Sequence, residues 1–525
     1  MAARKESIGR RSARTFSVLT LGRTVSLLIG IFSVIVIARL LGPDGYGVFT
    51  IAFAFFSLVS AASNFGFGQY LIKHISESED RRDGRAFARA LSAGLTGVVA
   101  IGLLLTLLGI AISWPVASLL HAQGVTPTIL VIAASIVFFA MMYGSTDYAL
   151  IGAGKNMVAV LLEIFENVVL LVAGVALILM GYGAGGAIAG ILISYMAAGA
   201  IGTYLIFRFA HRSMHVQLTL PTLSEMRSAF RFSLPIAGNN FLNNSMPSFA
   251  TLLLGFFVSA YELGNFGVAM RARTILSAFY ITAAVTLVPT LSIAVSRESK
   301  KRAGRLEVVY NKSMEYSVLA SVPLIAYLGV YSTPLIYLLI SQNFGIAPLY
   351  LSLIALGTII GVAGVYATSM FIAKGRTSKL IKYTAICTLL QLAALAVLLP
   401  AWGVLGAIIS LFFVETITCD YLYLHGARTV LGLRTDYKRL ARAFLSNLAL
   451  AAVFALGLYL PGYALQLVYG AVALLAAYPF FMVLFGSVDR EDMAILEDAT
   501  EKLPALRSLL GPVLSYLRFL VYHLQ

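Results

Sequence analysis

Long apolar runs separated by short polar segments fill almost the whole chain. Each run has about 20 residues or more, enough to cross the roughly 30 Å hydrocarbon core of a bilayer as a helix. The runs are continuous rather than alternating in hydrophobicity, which excludes an outer-membrane β-barrel. They predict an all-α polytopic membrane protein with about fourteen transmembrane helices, at residues 16–40, 47–72, 90–114, 127–151, 157–180, 186–207, 232–256, 264–292, 309–338, 347–373, 379–400, 404–425, 443–461 and 465–487.

Prolines lie inside or at the end of two predicted spans. Pro115 predicts a break at the end of the third span, and Pro323 and Pro334 lie within the ninth. Neither case argues against helices, because packed neighbours can satisfy the carbonyl groups that a proline leaves free.

The basic residues lie almost entirely on one side of this predicted topology. The eight segments on the N-terminal side hold 33 of the 38 Lys and Arg residues, and the seven loops on the opposite side hold none. Basic residues are retained in the cytoplasm during insertion, so both termini are expected there. The net charge of +15 therefore reflects topology and anionic lipid head groups, not nucleic-acid binding.

The composition leaves no room for a large soluble domain. Hydrophobic residues make up 59% of the chain and charged residues 12%, about half the charged fraction of a typical soluble protein. Cys387 and Cys419 lie in apolar spans without a His or Cys cluster, which argues against a metal site or a disulfide.

Short motifs recur in the two halves of the chain at offsets of 217, 221 and 220 residues. They are Gly47-x-Phe49-x-x-Ala52 with Gly264-x-Phe266-x-x-Ala269, Gly154-Lys155 with Gly375-Arg376, and Gly183-x-x-Gly186-Ala187-Ile188 with Gly403-x-x-Gly406-Ala407-Ile408. The spacing predicts a six-helix unit used twice, and because six is even both copies have the same orientation, as parallel repeats. The predicted organisation is a basic N-terminus at 1–15, a six-helix lobe at 16–210, a cytoplasmic linker at 211–231, a second six-helix lobe at 232–428, two additional helices at 429–487 and a cytoplasmic amphipathic tail at 488–525.

Three arginines at membrane depth are candidate ligands for an anionic head group. Arg23 lies roughly 13 Å along the first helix, and Arg271 lies roughly 10 Å from the outer face. Their guanidinium groups can bind phosphate oxygens bidentately. Snorkelling to the inner head groups is the alternative for Arg23, and a structural ion pair is the alternative for Arg271. Arg273 completes the set but lies about 200° further round the helix than Arg271.

Two groups of polar residues complete the candidate pathway. Glu163 and Glu166 lie on one face of the fifth span, where they could hold a coupling Na⁺ or H⁺, pair with Arg23, or form structural hydrogen bonds. A stripe of amides on the seventh span could contact sugar hydroxyls or join helices, and consists of Asn240, Asn243 and Asn244. Weaker candidates are Asp147, Glu415 and Asp420. No metal site or other cofactor is expected.

Three segments resemble the polysaccharide-transport family of oligosaccharide-lipid flippases, across nearly the whole chain. IARLLGPDGYGVFTIAFAFFSLVS (37–60) resembles the family's opening, and ELGNFGVAMRAR (262–273) is similar to the matching second-lobe segment. AKGRTSK followed by LLPAWGVLGAIIS (373–410) resembles its eleventh and twelfth helices. The family belongs to the multidrug/oligosaccharidyl-lipid/polysaccharide exporter superfamily.

This resemblance implies a flippase in a prokaryotic plasma membrane. Alternating access of two lobes around a cationic cavity would move a polyprenyl (pyro)phosphate-linked oligosaccharide to the outer leaflet, with membrane lipids and polysaccharide-assembly proteins as partners. A cation-coupled multidrug exporter is the alternative within the superfamily. A polysaccharide polymerase or glycosyltransferase is disfavoured, because the longest outer loop, at 115–126, has one His and no acid.

Overall fold

The computed structural model describes residues 2–63, 66–120, 124–214, 220–273, 303–362, 364–490, 492–493 and 504–524. Regular structure in this part of the chain is helical throughout, as the sequence predicts. The helices are α1 (Ala2–Ser63), α2 (Phe67–Arg81), α3 (Gly84–Leu119), α4 (Pro127–Gly152), α5 (Asn156–Leu177), α6 (Gly183–Met214), α7 (Leu223–Leu254), α8 (260–273), α9 (Ala303–Val330), α10 (Ser332–Leu339), α11 (Ala347–Gly361), α12 (Gly364–Ala373), α13 (Thr377–Ile408), α14 (Glu415–Val430), α15 (Tyr437–Gly457), α16 (Tyr463–Leu484) and α17 (Pro504–Leu524). Short π-helical turns at Ile178–Tyr182 and Ile409–Val414 join α5 to α6 and α13 to α14.

Packing divides the chain into two compact units, Met1–Gly267 and Val268–Gln525. Unit 1 contains α1 to α7 and the first half of α8, so the start of the second sequence repeat packs within it. Unit 2 contains the end of α8 and α9 to α17.

Eight of the described helical stretches are long and apolar enough to cross a bilayer, or nine if the bent pair α11 and α12 forms one span. The three longest are Gly22–Ala61, Asn156–Arg212 and Ser378–Val430. Each is about two to three times as long as one crossing requires, overlaps two predicted spans and contains a glycine with non-helical backbone angles. The predicted span 264–292 leaves the described residues after 273, so the number fourteen stays a prediction.

The helices of unit 1 run in alternating directions. Their directions follow from pairs of residues that face each other. Helix α1 is parallel to α5 (Gly22 with Val160, Ile37 with Gly174), α5 is antiparallel to α6 (Gly174 with Gly190, Leu162 with Gly202), and α4 is parallel to α6 (Ile129 with Gly185, Thr146 with Gly202). Helix α3 is antiparallel to α4 (Gly102 with Met141, Gly109 with Ala134) and to the end of α1 and α2 (Gly109 with Val59, Gly94 with Leu71). This set of directions is consistent only if the two halves of α1 are antiparallel. The chain therefore reverses at Gly42, whose φ of 66° is open to glycine at little cost.

The repeated sequence motifs adopt the same backbone in both halves. Gly183 has φ 52° and ψ −134°, and Gly403 has φ 55° and ψ −127°. Gly154 and Gly375 both end a helix with positive φ, and in each case the next amide donates to the carbonyl five residues back at 2.8 Å. These are helix-ending turns of the Schellman type, which favour glycine. The duplication is therefore present in the backbone conformation as well as in the sequence.

The third repeated motif forms a close helix crossing within unit 1. Gly47 of α1 lies against the carbonyl oxygen of Ala260, and Gly264 of α8 lies against the carbonyl oxygen of Pro43. The partners differ by the repeat offset of 217 residues, so the crossing has local two-fold symmetry. Thr50 contacts Gly267, its own repeat partner, as a residue pair on such an axis should.

Unit 2 joins the two additional helices to α9. Tyr331 at the end of α9 donates a hydrogen bond to the Phe454 carbonyl of the parallel helix α15 at 2.7 Å. Tyr478 on the antiparallel α16 donates to the Leu319 carbonyl at 2.6 Å. The tail helix α17 buries one face in the same core, through Leu517, Leu520 and Val521.

Buried ion pairs join α9 to Asp492 and to α15 within unit 2. The Lys312 ammonium lies 2.9 Å from Asp492 Oδ1, with side-chain exposures of 12% and 4%. Tyr316 donates to the same carboxylate oxygen at 2.5 Å. Burial alone would raise the pKa of Asp492, but the hydrogen bonds from Tyr316 and Lys312 outweigh it and hold that pKa below its usual range. Nearby, Arg439 pairs with the buried carboxylate of Glu315 at 3.5 Å.

Two expectations about prolines have different outcomes. α3 continues through Pro115 to Leu119, so the predicted break there is wrong. Pro115 lies in the last turns of the helix, where its missing N–H removes one bond while the following turn can still form. Pro323 lies within α9 without ending it, and the ninth predicted span instead divides between Val330 and Ser332.

We expect Gly47→Ala or Gly264→Ala to destabilise the protein by about 1–3 kcal/mol, because the added methyl group meets backbone rather than a movable side chain. Gly185→Ala on α6 is the matched control, since its methyl group would have ordinary contact at 3.6 Å with Ile129. Thermal unfolding midpoints of the purified variants measure the difference. Equal midpoints for Gly47→Ala and Gly185→Ala would show that the crossing is loosely packed.

Lys312→Ala should cost about 3–5 kcal/mol, because it leaves the Asp492 carboxylate buried without its counter-charge. Lys438→Ala, at an exposed lysine of α15, serves as the control and should change stability by less than about 0.5 kcal/mol. Chemical denaturation of both variants beside the wild type measures the two costs. Equal losses for Lys312→Ala and Lys438→Ala would show that the buried pair contributes nothing specific.

The same pair predicts a pH dependence of wild-type stability. Asp492 has a lower pKa in the folded than in the unfolded chain, so its contribution is complete above its ordinary pKa and is lost as pH falls through the folded value. Unfolding midpoints measured from pH 7 into acid should fall for the wild type. A Lys312→Ala variant with an undiminished acid loss would contradict this assignment.

Candidate functional site

The first candidate cation and the first candidate carboxylate pair with each other in unit 1. Arg23 Nε on α1 lies 3.6 Å from Glu163 Oε2 on α5, with side-chain exposures of 54% and 30%. The parallel packing of these helices brings them together, because Gly22 and Gly30 let α1 approach Val160 and Asn167. The pair is loose, and more than half of the Arg23 side chain stays accessible.

The polar residues of α5 contact two different helices. The Asn167 amide donates to Ser26 Oγ on α1 at 3.0 Å and to the Glu163 carbonyl at 3.1 Å. Glu166, 7% exposed, instead accepts a hydrogen bond from Ser194 on α6 at 3.0 Å. The i, i+3, i+4 spacing thus joins α1, α5 and α6 through one polar face, because positions three and four apart flank the same side of a helix.

A third carboxylate extends this group to α4. Asp147 lies within electrostatic range of Arg23 and Glu163, and the Tyr143 hydroxyl lies near both Asp147 and Glu166. We call Arg23, Asp147, Glu163 and Glu166 the unit 1 polar cluster. The cluster holds one guanidinium and three carboxyl groups. Its carboxyl groups can therefore bind a cation or a proton, and the Arg23 guanidinium can bind an anion.

An aromatic cavity of about 220 Å³ lies beside the cluster. The Tyr143 and Tyr195 rings, which line it, are 5.7 Å apart between centroids, and Tyr195 lies 6.2 Å from Phe56. Ser60, Gly144 and Tyr148 line other parts of the wall. The cavity is formed by residues of unit 1.

A second polar group lies in unit 2. The Arg273 guanidinium stacks 4.6 Å from the Phe412 ring centroid, and its Nε donates to Thr358 Oγ1 at 3.4 Å. Glu415 accepts a hydrogen bond from Gln391 at 2.8 Å and lies within electrostatic range of Arg273. Arg273 is therefore engaged by side chains of its own unit.

The other predicted residues are described by the helix on which each lies. Arg271 is half-buried on α8. The stripe Asn240, Asn243 and Asn244 is helical within α7, and its side chains lie outside the described part of the structure.

Sequence reasoning missed the hydroxyl and aromatic partners of the cluster. Ser26 and Ser194 carry no signal of their own in an apolar span, and Tyr143 and Tyr195 do not stand out among 26 tyrosines. The four-residue spacing of Tyr143 and Asp147 on one helix face is the only signal that could have linked them.

Comparisons with known proteins show a family and a similar fold. A family described as polysaccharide biosynthesis protein matches residues 36–347, more than half of the chain. The structure of the lipid II flippase MurJ in an inward closed conformation is similar, with TM-score 0.72 and 16% identity over 89% of this chain and 98% of that one. No curated protein sequence matches the chain.

Two further similar structures are transporters of the MOP superfamily. An inward-facing multidrug resistance MATE family transporter has TM-score 0.64 and 16% identity, over 79% of this chain and 98% of that one. A transporter from Pyrococcus furiosus Vc1, described as having a binding pocket of reverse polarity, has TM-score 0.54 and 17% identity, over 80% and 96%. At these identities the similarity shows the fold alone, which this chain shares with those membrane proteins.

The pair of Arg23 and Glu163 should contribute little to stability. A double-mutant cycle with Arg23→Ala and Glu163→Gln is expected to give a coupling below about 1 kcal/mol, because the two groups are 3.6 Å apart and neither side chain is deeply buried in the protein. The same cycle on Lys312 and Asp492 provides the buried comparison and should give a larger value. A coupling at Arg23 as large as the buried one would make that arginine a structural residue.

Proposed function

Because the chain belongs to the polysaccharide biosynthesis protein family, we propose that it moves a polyprenyl phosphate- or pyrophosphate-linked oligosaccharide from the cytoplasmic to the outer leaflet. The transporter fold supports this function, as does the similarity to MurJ, a lipid II flippase. The proposed product is a precursor for cell-surface polysaccharide or glycan assembly, and the proposed movement is alternating access.

The accessible guanidinium of Arg23 is the observation that carries this proposal. A lipid-linked saccharide brings a phosphate group into the membrane, and the bare anion would lose most of its hydration there. Arg23 is more than half exposed and only loosely held by Glu163, so a phosphate can displace that carboxylate without leaving a deeply buried charge unpaired. Arginine suits the task because its planar fork stays charged and binds two phosphate oxygens together.

The remaining predicted residues take secondary roles in this proposal. Arg271 is the second head-group cation, and Arg273 would have to leave Phe412 before it could act as a third. Asn240, Asn243 and Asn244 remain candidate contacts for sugar hydroxyls. The isoprenoid tail is expected to stay in the lipid, where it has no desolvation cost.

The carboxylates of the unit 1 polar cluster are the proposed coupling site. Displacement of Arg23 from Glu163 by substrate would leave that carboxylate without its counter-charge. A proton or Na⁺ could then neutralise Glu163 or Glu166, which links ion binding to the arrival of the phosphate.

A cation-coupled multidrug exporter is the second candidate function. The excess of carboxylates over arginines in the unit 1 polar cluster favours it, since such a site can attract a cationic drug. The MATE transporter with a similar fold is consistent with it. In either case we propose a non-enzymatic carrier in a prokaryotic plasma membrane, with both termini cytoplasmic and polysaccharide-assembly proteins as partners of the flippase.

Mass spectrometry of lipids that co-purify with the protein tests the function. The wild type is expected to retain a polyprenyl-linked saccharide, and the double variant Arg23→Ala, Arg271→Ala should lose it while keeping bulk phospholipid. Lys438→Ala, which removes an exposed cation elsewhere, should retain the lipid.

The opposite pattern would identify the second function. A wild type without any polyprenyl lipid, combined with drug efflux that Glu163→Gln abolishes, would overturn the flippase proposal. Unchanged surface polysaccharide in cells lacking the protein would support the same conclusion.

A further inference from the structure

The aromatic cavity of unit 1 has the composition of a site for a polar ring. Its wall presents the rings of Phe56, Tyr143, Tyr148 and Tyr195, and helices α1, α4 and α6 hold these rings in place. Tyrosine rings offer an apolar face and a hydroxyl edge at the same time. Ser60 adds a further polar residue to the wall.

These features match the chemistry of a sugar. A pyranose ring has a face of C–H bonds, which carry partial positive charge and favour the negative face of an aromatic ring. Its edge carries hydroxyl groups, which require donors and acceptors such as tyrosine and serine hydroxyls.

The size of the cavity limits what can enter it. At about 220 Å³ it is smaller than the roughly 300–1,000 Å³ of pockets for drug-sized ligands. One ring of a saccharide can therefore enter, and the rest of the oligosaccharide would lie outside.

The cavity shares Tyr143 with the surroundings of the unit 1 polar cluster. Tyr143 lines the cavity and its hydroxyl lies near Asp147, which itself lies within electrostatic range of Arg23. A phosphate held by Arg23 would thus place the first sugar attached to it towards the tyrosines. A sugar phosphate needs a site for its phosphate next to a site for its sugar, and Arg23 and the cavity would provide them in that order.

We propose that the cavity lined by Phe56, Tyr143, Tyr148 and Tyr195 binds the sugar ring next to the phosphate of the transported lipid. This inference rests on the proposed flippase function and adds a site within unit 1 that selects for a saccharide. Arg23 would bind any polyprenyl phosphate, whereas the tyrosines would favour those that carry a sugar.

Binding of two kinds of lipid to the full-length protein in nanodiscs separates these contributions. The probes are undecaprenyl diphosphate and the same lipid carrying glucose, galactose or N-acetylglucosamine. The wild type should bind at least one sugar-bearing lipid more tightly than the sugar-free lipid. Tyr195→Ala should reduce that preference by roughly tenfold, corresponding to about 1.4 kcal/mol, and Tyr195→Phe by much less because the ring is kept.

A second variant tests the site without removing packing. A side chain added at Gly144 meets no atom within 4 Å at its Cβ, so Gly144→Leu should enter the cavity and leave the fold intact. It should abolish the preference for sugar while the affinity for undecaprenyl diphosphate stays unchanged. Arg23→Ala should weaken the binding of both kinds of lipid.

Each other outcome overturns a specific part of the proposal. A sugar preference that survives both Tyr195→Ala and Gly144→Leu, or a wild type without any preference, would reject the sugar site and leave the flippase function standing. A wild type that binds none of the lipids would reject the proposed function together with the sugar site.

Discussion

The absence of hydrogen-bond partners in a bilayer is the constraint on which the structure depends. Every backbone group in a span must bond within its own helix, so the chain can change direction only where few residues leave the helix. Gly42, Gly183 and Gly403 lie at such points with positive φ. Positive φ is costly for residues with a Cβ, and glycine at these points allows two helices to follow each other almost without a loop.

Close helix packing follows from the same constraint. Lipid tails are as apolar as leucine, so helices associate through contact between small residues rather than through the hydrophobic effect. Gly22, Gly190 and Gly202 each bring a helix against its neighbour in unit 1. At the crossing of Gly47 and Gly264 this packing also shows the duplicated origin of the chain, because both glycines face a carbonyl oxygen at equivalent positions.

The ion pairs of the two units fall into two classes that differ in accessibility. Lys312 and Asp492 are nearly inaccessible and bonded at 2.9 Å, which suits a permanent join between helices. Arg23 and Glu163 are 3.6 Å apart and accessible, which suits groups that exchange partners. The proposed function uses the second class, and the first holds the segment after α16 against α9 in unit 2.

The sequence by itself determined the helical class, the long apolar stretches and the repeated motifs. The length of an apolar run and the position of a glycine motif are local properties. In a bilayer they decide where helices and turns form, whatever the rest of the chain contains. The sequence also pointed to Arg23, Glu163 and Glu166 as candidates, because ionisable residues in apolar spans are conspicuous. Only the tertiary structure decided that Glu163 pairs with Arg23 while Glu166 binds Ser194, and that Tyr143 and Tyr195 form a cavity beside them. These contacts join helices far apart in the sequence, and the rotation and depth at which those helices pack decide which side chains meet.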